Sequence, residues 1–282
     1  MVIDEAVRGT PAPALRPYVA WYSGYRQAGI APGRHRGLPS PYLTLIVTLD
    51  DPLVVDAHPD PAQPGGEYTT LVGGLHTVPA LIAHDGRQSG VQLALRPLGA
   101  RALLGLPAGE LGHLDLPADD VLGRIAGELH ERLRAADTWP ARFAVLDDVL
   151  LRVCHPDAVP APEISEAWRL LVTGGHTVAE AAGAVGWSLR RLSGRFSAEL
   201  GVSPKTAAKI ARFDRARRLL ARPSGPMSRP GLGLADLAVA CGYYDQAHLA
   251  RDFRELAGAP PSQWLAEERR FVQAHADAPR ES

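Results

Sequence analysis

Cysteine is nearly absent from this chain: two residues, Cys154 and Cys241, in 282. Two thiols cannot build a disulfide framework, so the small disulfide-stapled secreted class is excluded and a reducing compartment fits. Lysine is equally scarce, with 2 against 28 arginines, beside abundant alanine, glycine and proline. That bias marks a GC-rich bacterial genome rather than a chemistry. No apolar run approaches the ~20 residues of a membrane-spanning helix. The opening stretch MVIDEAVRGT has neither the basic nor the apolar segment of a secretory signal, so a cytoplasmic protein with no membrane partner is expected. A surplus of positive charge is missing too. The net charge is −1, which alone speaks against a nucleic-acid partner.

The charge is unevenly spread, however. Residues 1–159 hold 13 basic against 18 acidic side chains, and residues 160–282 hold 17 against 13. Within 190–222 the count is 10 basic against 2 acidic. An arginine run is most often a solvated face. This one coincides with the clearest motif of the chain, and so reads as the electrostatic footprint of a phosphate binder.

That motif runs from Thr177 to Pro204 and reads as helix, tight turn, helix. Thr177 and Glu180 form a capping box before a helix built on Ala179, Ala181, Ala182 and Ala184. Gly186 ends it, because a helix terminus often needs left-handed backbone that only glycine adopts without steric cost. Ser188 caps the second helix, whose Leu192, Phe196 and Leu200 share one face while Arg190, Arg191 and Arg195 lie opposite. Gly201 stops it, and Ser203-Pro204 opens a further helix with a cap and a first-turn proline. Residues 235–261 repeat the layout. Gly186 answers to Gly242, Trp187 to Tyr243, Leu192 to Leu249, Phe196 to Phe253, Gly201 to Gly258 and Pro204 to Pro261. The offset is 56 before the turn and 57 after it, so the second turn holds one extra residue. One such pattern is a weak signal; two in tandem with matching landmarks are a strong one.

On these residues the stretch 163–266 resembles the DNA-binding domain of AraC/XylS-type transcription regulators. Its specific marks are the G-x-S-P of Gly201-Val202-Ser203-Pro204 and the C-G-Y-x-D-Q-x-H-L-x-R-x-F of Cys241 to Phe253. The resemblance implies a homeodomain-like pair of units joined by one long helix, each placing a recognition helix in successive major grooves of double-stranded DNA. RNA polymerase, a small-molecule effector and a second copy of the chain are the further partners it implies. The N-terminal outward positions of a recognition helix face base edges. In unit one these are Arg190, Ser193 and Ser197; in unit two Gln246, Ala247, Ala250 and Arg251. Arginine suits guanine, glutamine adenine, and alanine a thymine methyl. Phosphate contacts are expected from Arg191, Arg195, Lys205, Lys209 and Arg212. Asp245 sits where Ser188 does and is expected to cap. One departure from the family stands out: the counterpart of Arg251 in unit one is Gly194.

The N-terminal half reads differently. Residues 17–25, 42–49, 53–57, 69–73, 79–84 and 90–96 are short apolar or alternating runs separated by turn residues, including Asp50-Asp51-Pro52, Pro64-Gly65-Gly66 and Asp85-Gly86. They predict an antiparallel sandwich or small barrel. From Leu98 the period changes. Residues 118–136 and 140–153 carry apolar stripes at helical spacing, the second through Phe143, Leu146, Leu150 and Val153, serving either hairpin packing or a dimer surface. The order resembles the cupin-like sensor domain that AraC-type regulators often carry, and the runs 97–105 and 107–111 resemble an N-terminal domain of some actinobacterial members. The aromatics Trp21, Tyr22, Tyr25 and Tyr42 are core residues or, if an effector binds, the first ligand-pocket candidates. His35, His58, His76 and His84 fall in the barrel region, but no two form the His-x-His pair of a cupin metal site, so neither metal nor cofactor is expected.

The fold class is therefore expected to be α+β: a cupin-like antiparallel β-barrel over 1–97, a helical hairpin over 98–154, a proline-rich linker over 155–162, and a tandem helix-turn-helix domain over 163–282. Within the last, unit one spans 163–203, the connector 204–221 and unit two 234–266, with a Pro/Gly loop over 222–233 and a fraying tail after Trp264. The expected function is non-enzymatic, sequence-specific transcription regulation. The alternative is a metal-dependent cupin-type enzyme fused to a DNA-targeting domain. A cysteine-based DNA alkyl-repair protein is excluded by its lack of a nucleophilic cysteine and a cysteine zinc site, and a protein-binding adaptor would show no salt-sensitive DNA affinity.

Overall fold

The structure, a computed structural model, describes residues 2–221 and 233–267. The loop expected at 222–233 lies outside the described residues up to 232, as does the tail expected after Trp264 from residue 268 on; residues 265–267 are helical rather than frayed. Among the described residues ten strands make two antiparallel sheets: β1 (Ile3–Gly9), β2 (Val19–Ala28), β3 (Gly33–Gly37), β4 (Leu43–Thr48), β5 (Leu53–Ala57), β6 (Gly66–Tyr68), β7 (Thr70–Gly73), β8 (Ala80–His84), β9 (Arg87–Leu95) and β10 (Asp115–Pro117). The larger sheet has the order β1-β2-β9-β4-β7-β10 and the smaller β3-β8-β5-β6. Strand β4 shows why the layers form. Its Leu43, Leu45 and Val47 join the core shared with the helices, while Ile46 joins Leu53, Val55, Leu71 and Ile82 between the sheets. A strand apolar on both faces must be covered on both.

Four strands were not legible as apolar runs. Strands β1 (IDEAVRG) and β3 (GRHRG) are charged and sit at sheet edges, where one side of the strand stays wet. The third, β6, is three residues long, and Gly66 of the expected turn begins it. Last, β10 pairs with β7 from Asp115↔Gly73 to Pro117↔Leu71, so the β-rich domain does not end at residue 97 as expected: its last strand returns from inside the helical region.

The helices are α1 (Ala100–Leu104), α2 (Ala108–Leu111), α3 (Asp119–Leu122), α4 (Arg124–Ala135), α5 (Trp139–Val153), α6 (Pro162–Trp168), α7 (Val178–Ala184), α8 (Leu189–Leu200), α9 (Pro204–Leu220), α10 (Leu234–Ala240) and α11 (Gln246–Ala257). The stripe of α5 faces the larger sheet: Leu146 and Leu150 are buried, and Phe143 stacks on Tyr22 at 5.9 Å. Of the two readings of that stripe, packing is what the structure shows. Close approach is enforced by glycine, since a Cβ at Gly24 would overlap the Trp139 ring, with three of its atoms within 2.9 Å.

Unit one has no core of its own. Ile164, Leu171, Leu192, Phe196 and Leu200 belong to one continuous cluster with Leu129, Leu146 and Leu93 of the N-terminal domain. Unit two does. Phe213 of α9 packs with Leu237, Leu249, Phe253, Leu256 and Trp264 in a separate cluster. Both recognition helices end on left-handed glycines, Gly201 at φ 79° and Gly258 at φ 70°.

Candidate nucleic-acid interface

The local chemistry that starts each helix is in place. Thr177 and Glu180 make the capping box of α7, Ser188 accepts from the Arg191 N–H at α8, Ser203 from Thr206 N–H at α9, and Asp245 from His248 N–H at α11. Leu192, Phe196 and Leu200 are fully buried, as are their counterparts Leu249, Phe253 and Ala257, with Leu256 buried beside the last. This fixes the rotation of both recognition helices and turns their other faces outward. On α8, Arg190, Arg191, Gly194 and Arg195 are exposed and Ser193 and Ser197 half-buried; on α11, Gln246, Ala247 and Arg251 are exposed and Ala250 half-buried. Among the described residues Arg190, Arg195, Lys205 and Arg251 make no ion pair, which leaves their charge available. Arg191 lies over the Trp187 ring at 4.6 Å.

Two expected phosphate contacts have other partners. Lys209 binds Asp252 at 3.6 Å and Glu255 at 2.5 Å, and Arg212 lies 3.7 Å from Asp252 and 5.3 Å from the Tyr243 ring. Asp252 is 4 % exposed, so these cations neutralise a buried carboxylate and tie α11 to the connector. The sequence could not show this, because the pairing joins residues some 40 positions apart. A surface residue was also missed. Tyr244, by which the second turn is longer, is 90 % exposed two residues ahead of Gln246. The 57-residue offset was its only signal.

The four candidate pocket aromatics do not share one cavity. Tyr22 faces α5 and its hydroxyl donates to Asp147 at 2.9 Å; burial, then that carboxylate, raises its pKa. Tyr25 points to the opposite face of the sheet, where burial raises its pKa. Trp21 carries the Arg8 guanidinium at 4.0 Å, and Tyr42 carries Arg218 of α9 at 5.7 Å. Burial and then the charges of Arg218 and Arg217 lower the pKa of Arg8.

The histidines are dispersed as well. His58 bonds Asp115 at 2.9 Å and Tyr68 at 3.0 Å, and His76 bonds the Val78 carbonyl at 2.7 Å. His35 and His84 face each other across β3 and β8 with rings 6.1 Å apart, and burial, then His84, lowers the pKa of His35 to about 4. Among the described residues no group of three or more His, Cys, Asp or Glu side chains could hold a metal. No helix among them is long and apolar enough to cross a membrane.

Two family models match the chain: a helix-turn-helix domain over residues 182–267 and a domain of unknown function, DUF6597, over residues 7–117. No curated protein matches. Among solved structures, an AraC-type DNA-binding-domain regulator from Chromobacterium violaceum is 26 % identical over 38 % of this chain and 91 % of its own, with a TM-score of 0.32. A probable AraC family regulator from Rhodopseudomonas palustris is 24 % identical over 38 % and 97 %, with a TM-score of 0.32. An apo ToxT variant from Vibrio cholerae is 11 % identical over 87 % of this chain and 96 % of its own, with a TM-score of 0.50, and so shares the order of a β-rich domain followed by paired helix-turn-helix units. With its caps, landmark glycines and outward arginines on that frame, residues 182–267 form a helix-turn-helix domain of the AraC type, which supports a DNA-binding regulator.

Proposed function

We propose that the two recognition helices enter successive major grooves on one face of double-stranded DNA. Arg190, Ser193 and Ser197 read bases in unit one, and Gln246, Ala247, Ala250 and Arg251 in unit two. Arg191, Arg195 and Lys205 hold phosphates, and Tyr244 joins them at the start of α11. The carrying observation is that both helices bury a matching Leu-Phe pair, Leu192-Phe196 and Leu249-Phe253, and leave Arg190, Arg195 and Arg251 exposed and without an ion pair among the described residues. The protein acts by binding rather than catalysis, in the cytoplasm, on promoters where RNA polymerase is the downstream partner. The N-terminal domain senses a small effector, with Tyr42 against Arg218 of the connector, and association of two copies supplies a second site.

Selection of random duplex DNA by the full-length protein tests this. Two half-elements about one helical turn apart are expected. Replacing Arg190 by Ala should relax preference at one base, a loss of about 1–3 kcal/mol in discrimination. Uniform binding to all duplexes by the wild type would remove the two-groove reading, and an unchanged profile for Arg190→Ala would remove that residue from it.

A further inference from the structure

The N-terminal domain grips one recognition helix directly. Arg101 of α1 donates from Nε to Glu199 Oε1 at 2.7 Å and from Nη2 to Oε2 at 2.9 Å. Glu199 lies in the last turn of α8 with only 14 % of its side chain exposed. Beside this pair, α2 meets the same turn backbone to backbone. A Cβ on Gly109 would overlap the Ala198 carbonyl and stand 3.3 Å from the Gly201 nitrogen. A Cβ on Gly201 would stand 3.4 Å from the Gly109 Cα and 3.6 Å from the Gly112 Cα. Helix α2 is itself anchored, with Ala108 and Leu111 buried in the main core and Gly112 against Gly74 at the end of β7.

The contact with unit two is of another kind. Arg36 of β3 pairs with Glu267, Leu38 packs at the edge of the unit-two core, and a Cβ on Gly258 would come no closer than 3.8 Å to Arg36 and 4.0 Å to Pro79. A two-pronged guanidinium–carboxylate pair fixes orientation as well as distance. A glycine-to-glycine backbone contact has no side chain that could yield.

We propose that α1 and α2 form a docking surface for the C-terminal turn of α8, and that Arg101 and Gly109 are positioning residues for DNA reading. The dock holds unit one to the N-terminal domain while the Arg36 and Leu38 contacts steady unit two, so this domain sets the separation and angle at which the two recognition helices meet DNA. The inference rests on the two-groove reading above, but neither residue belongs to the reading face.

The test uses the full chain and a set of duplexes carrying the selected half-elements at optimal spacing and with one or two base pairs inserted or removed. Wild type should favour one spacing. Arg101→Glu should bind the optimal duplex about five- to tenfold more weakly and flatten the spacing preference, with base preference inside each half-element unchanged. Glu199→Arg should flatten it likewise, and the double charge reversal should restore it. If Arg101→Glu fails to fold, Arg101→Met with amide exchange over 198–201 replaces it, faster exchange being expected. A wild type without any selected motif overturns the two-groove reading itself. A wild-type motif with spacing profiles unchanged in every variant overturns the dock alone, as do unaltered exchange, a double reversal that recovers nothing, or tighter binding by Arg101→Glu at an undiminished spacing preference.

Discussion

The two helix-turn-helix units share a sequence plan but not a mechanical setting. Unit one is continuous with the main core, and its Phe196 stacks on Trp168 with centroids 6.1 Å apart inside that cluster. Unit two keeps a small core of its own, where Phe253 meets Phe213 at 4.9 Å and Trp264 at 5.8 Å. Unit one is docked through glycine backbone and an arginine fork; unit two is tied through Lys209 and Arg212 to the buried Asp252. Similar local patterns thus produce two readers, one built into the body of the molecule and one appended to it. Any movement of the N-terminal domain would carry unit one with it.

The largest effect should come from the paired core substitutions. Phe196→Ala and Phe253→Ala each remove a fully buried ring, at a cost of about 3–5 kcal/mol. Calorimetry should show Phe196→Ala lowering the main transition of the whole molecule. Phe253→Ala should instead split off an early transition involving unit two and leave the rest in place. A single shared shift in both variants would erase the distinction between built-in and appended units.

Next come the basic residues. Lys205 is exposed and Arg212 is committed to Asp252 and Tyr243. Lys205→Ala should weaken binding to all sequences and lower the slope of log affinity against log salt by about one. Arg212→Ala should leave that slope as it is and destabilise unit two by about 1–3 kcal/mol, because a buried carboxylate loses a partner. The reverse pattern would return Arg212 to the phosphate-binding set.

The smallest effect concerns Gly194, around which a Cβ would meet nothing within 4 Å. Gly194→Ala should stabilise the protein by about 1 kcal/mol, the propensity difference in a helix interior, and leave the selected motif unchanged. An altered motif would mean that DNA approaches the backbone at this glycine, where unit two presents Arg251.

Much of the DNA-binding half was legible because its signals are local. Caps at Thr177, Ser188, Ser203 and Asp245 and stops at Gly186, Gly201 and Gly258 lie within a few residues of the helices they bound, and each is found where it was expected. The two sheets were half legible. Strands with a buried face, such as β2, β4 and β9, declared themselves, whereas β1, β3, β6 and β10 did not, since edge strands and three-residue strands need no apolar alternation. Among candidate site residues, outward positions on α8 and α11 followed from helical period alone. The fate of Lys209 and Arg212 did not, because a basic residue on a periodic helix has the same sequence signature whether a phosphate or a buried aspartate awaits it.

By itself the sequence determined where helices begin and end, which faces they bury, and that two reading units stand in tandem behind a β-rich domain. Short-range hydrogen bonds and the 3.6-residue period govern those features, and both are written within a few residues. Only the tertiary structure decided that unit one shares the main core and unit two does not, that the aromatics Trp21, Tyr22, Tyr25 and Tyr42 diverge, and that Arg101 and Gly109 hold a recognition helix nearly 100 positions away. Those outcomes depend on which surfaces meet when separate elements pack, and no local pattern encodes the partner across such distances.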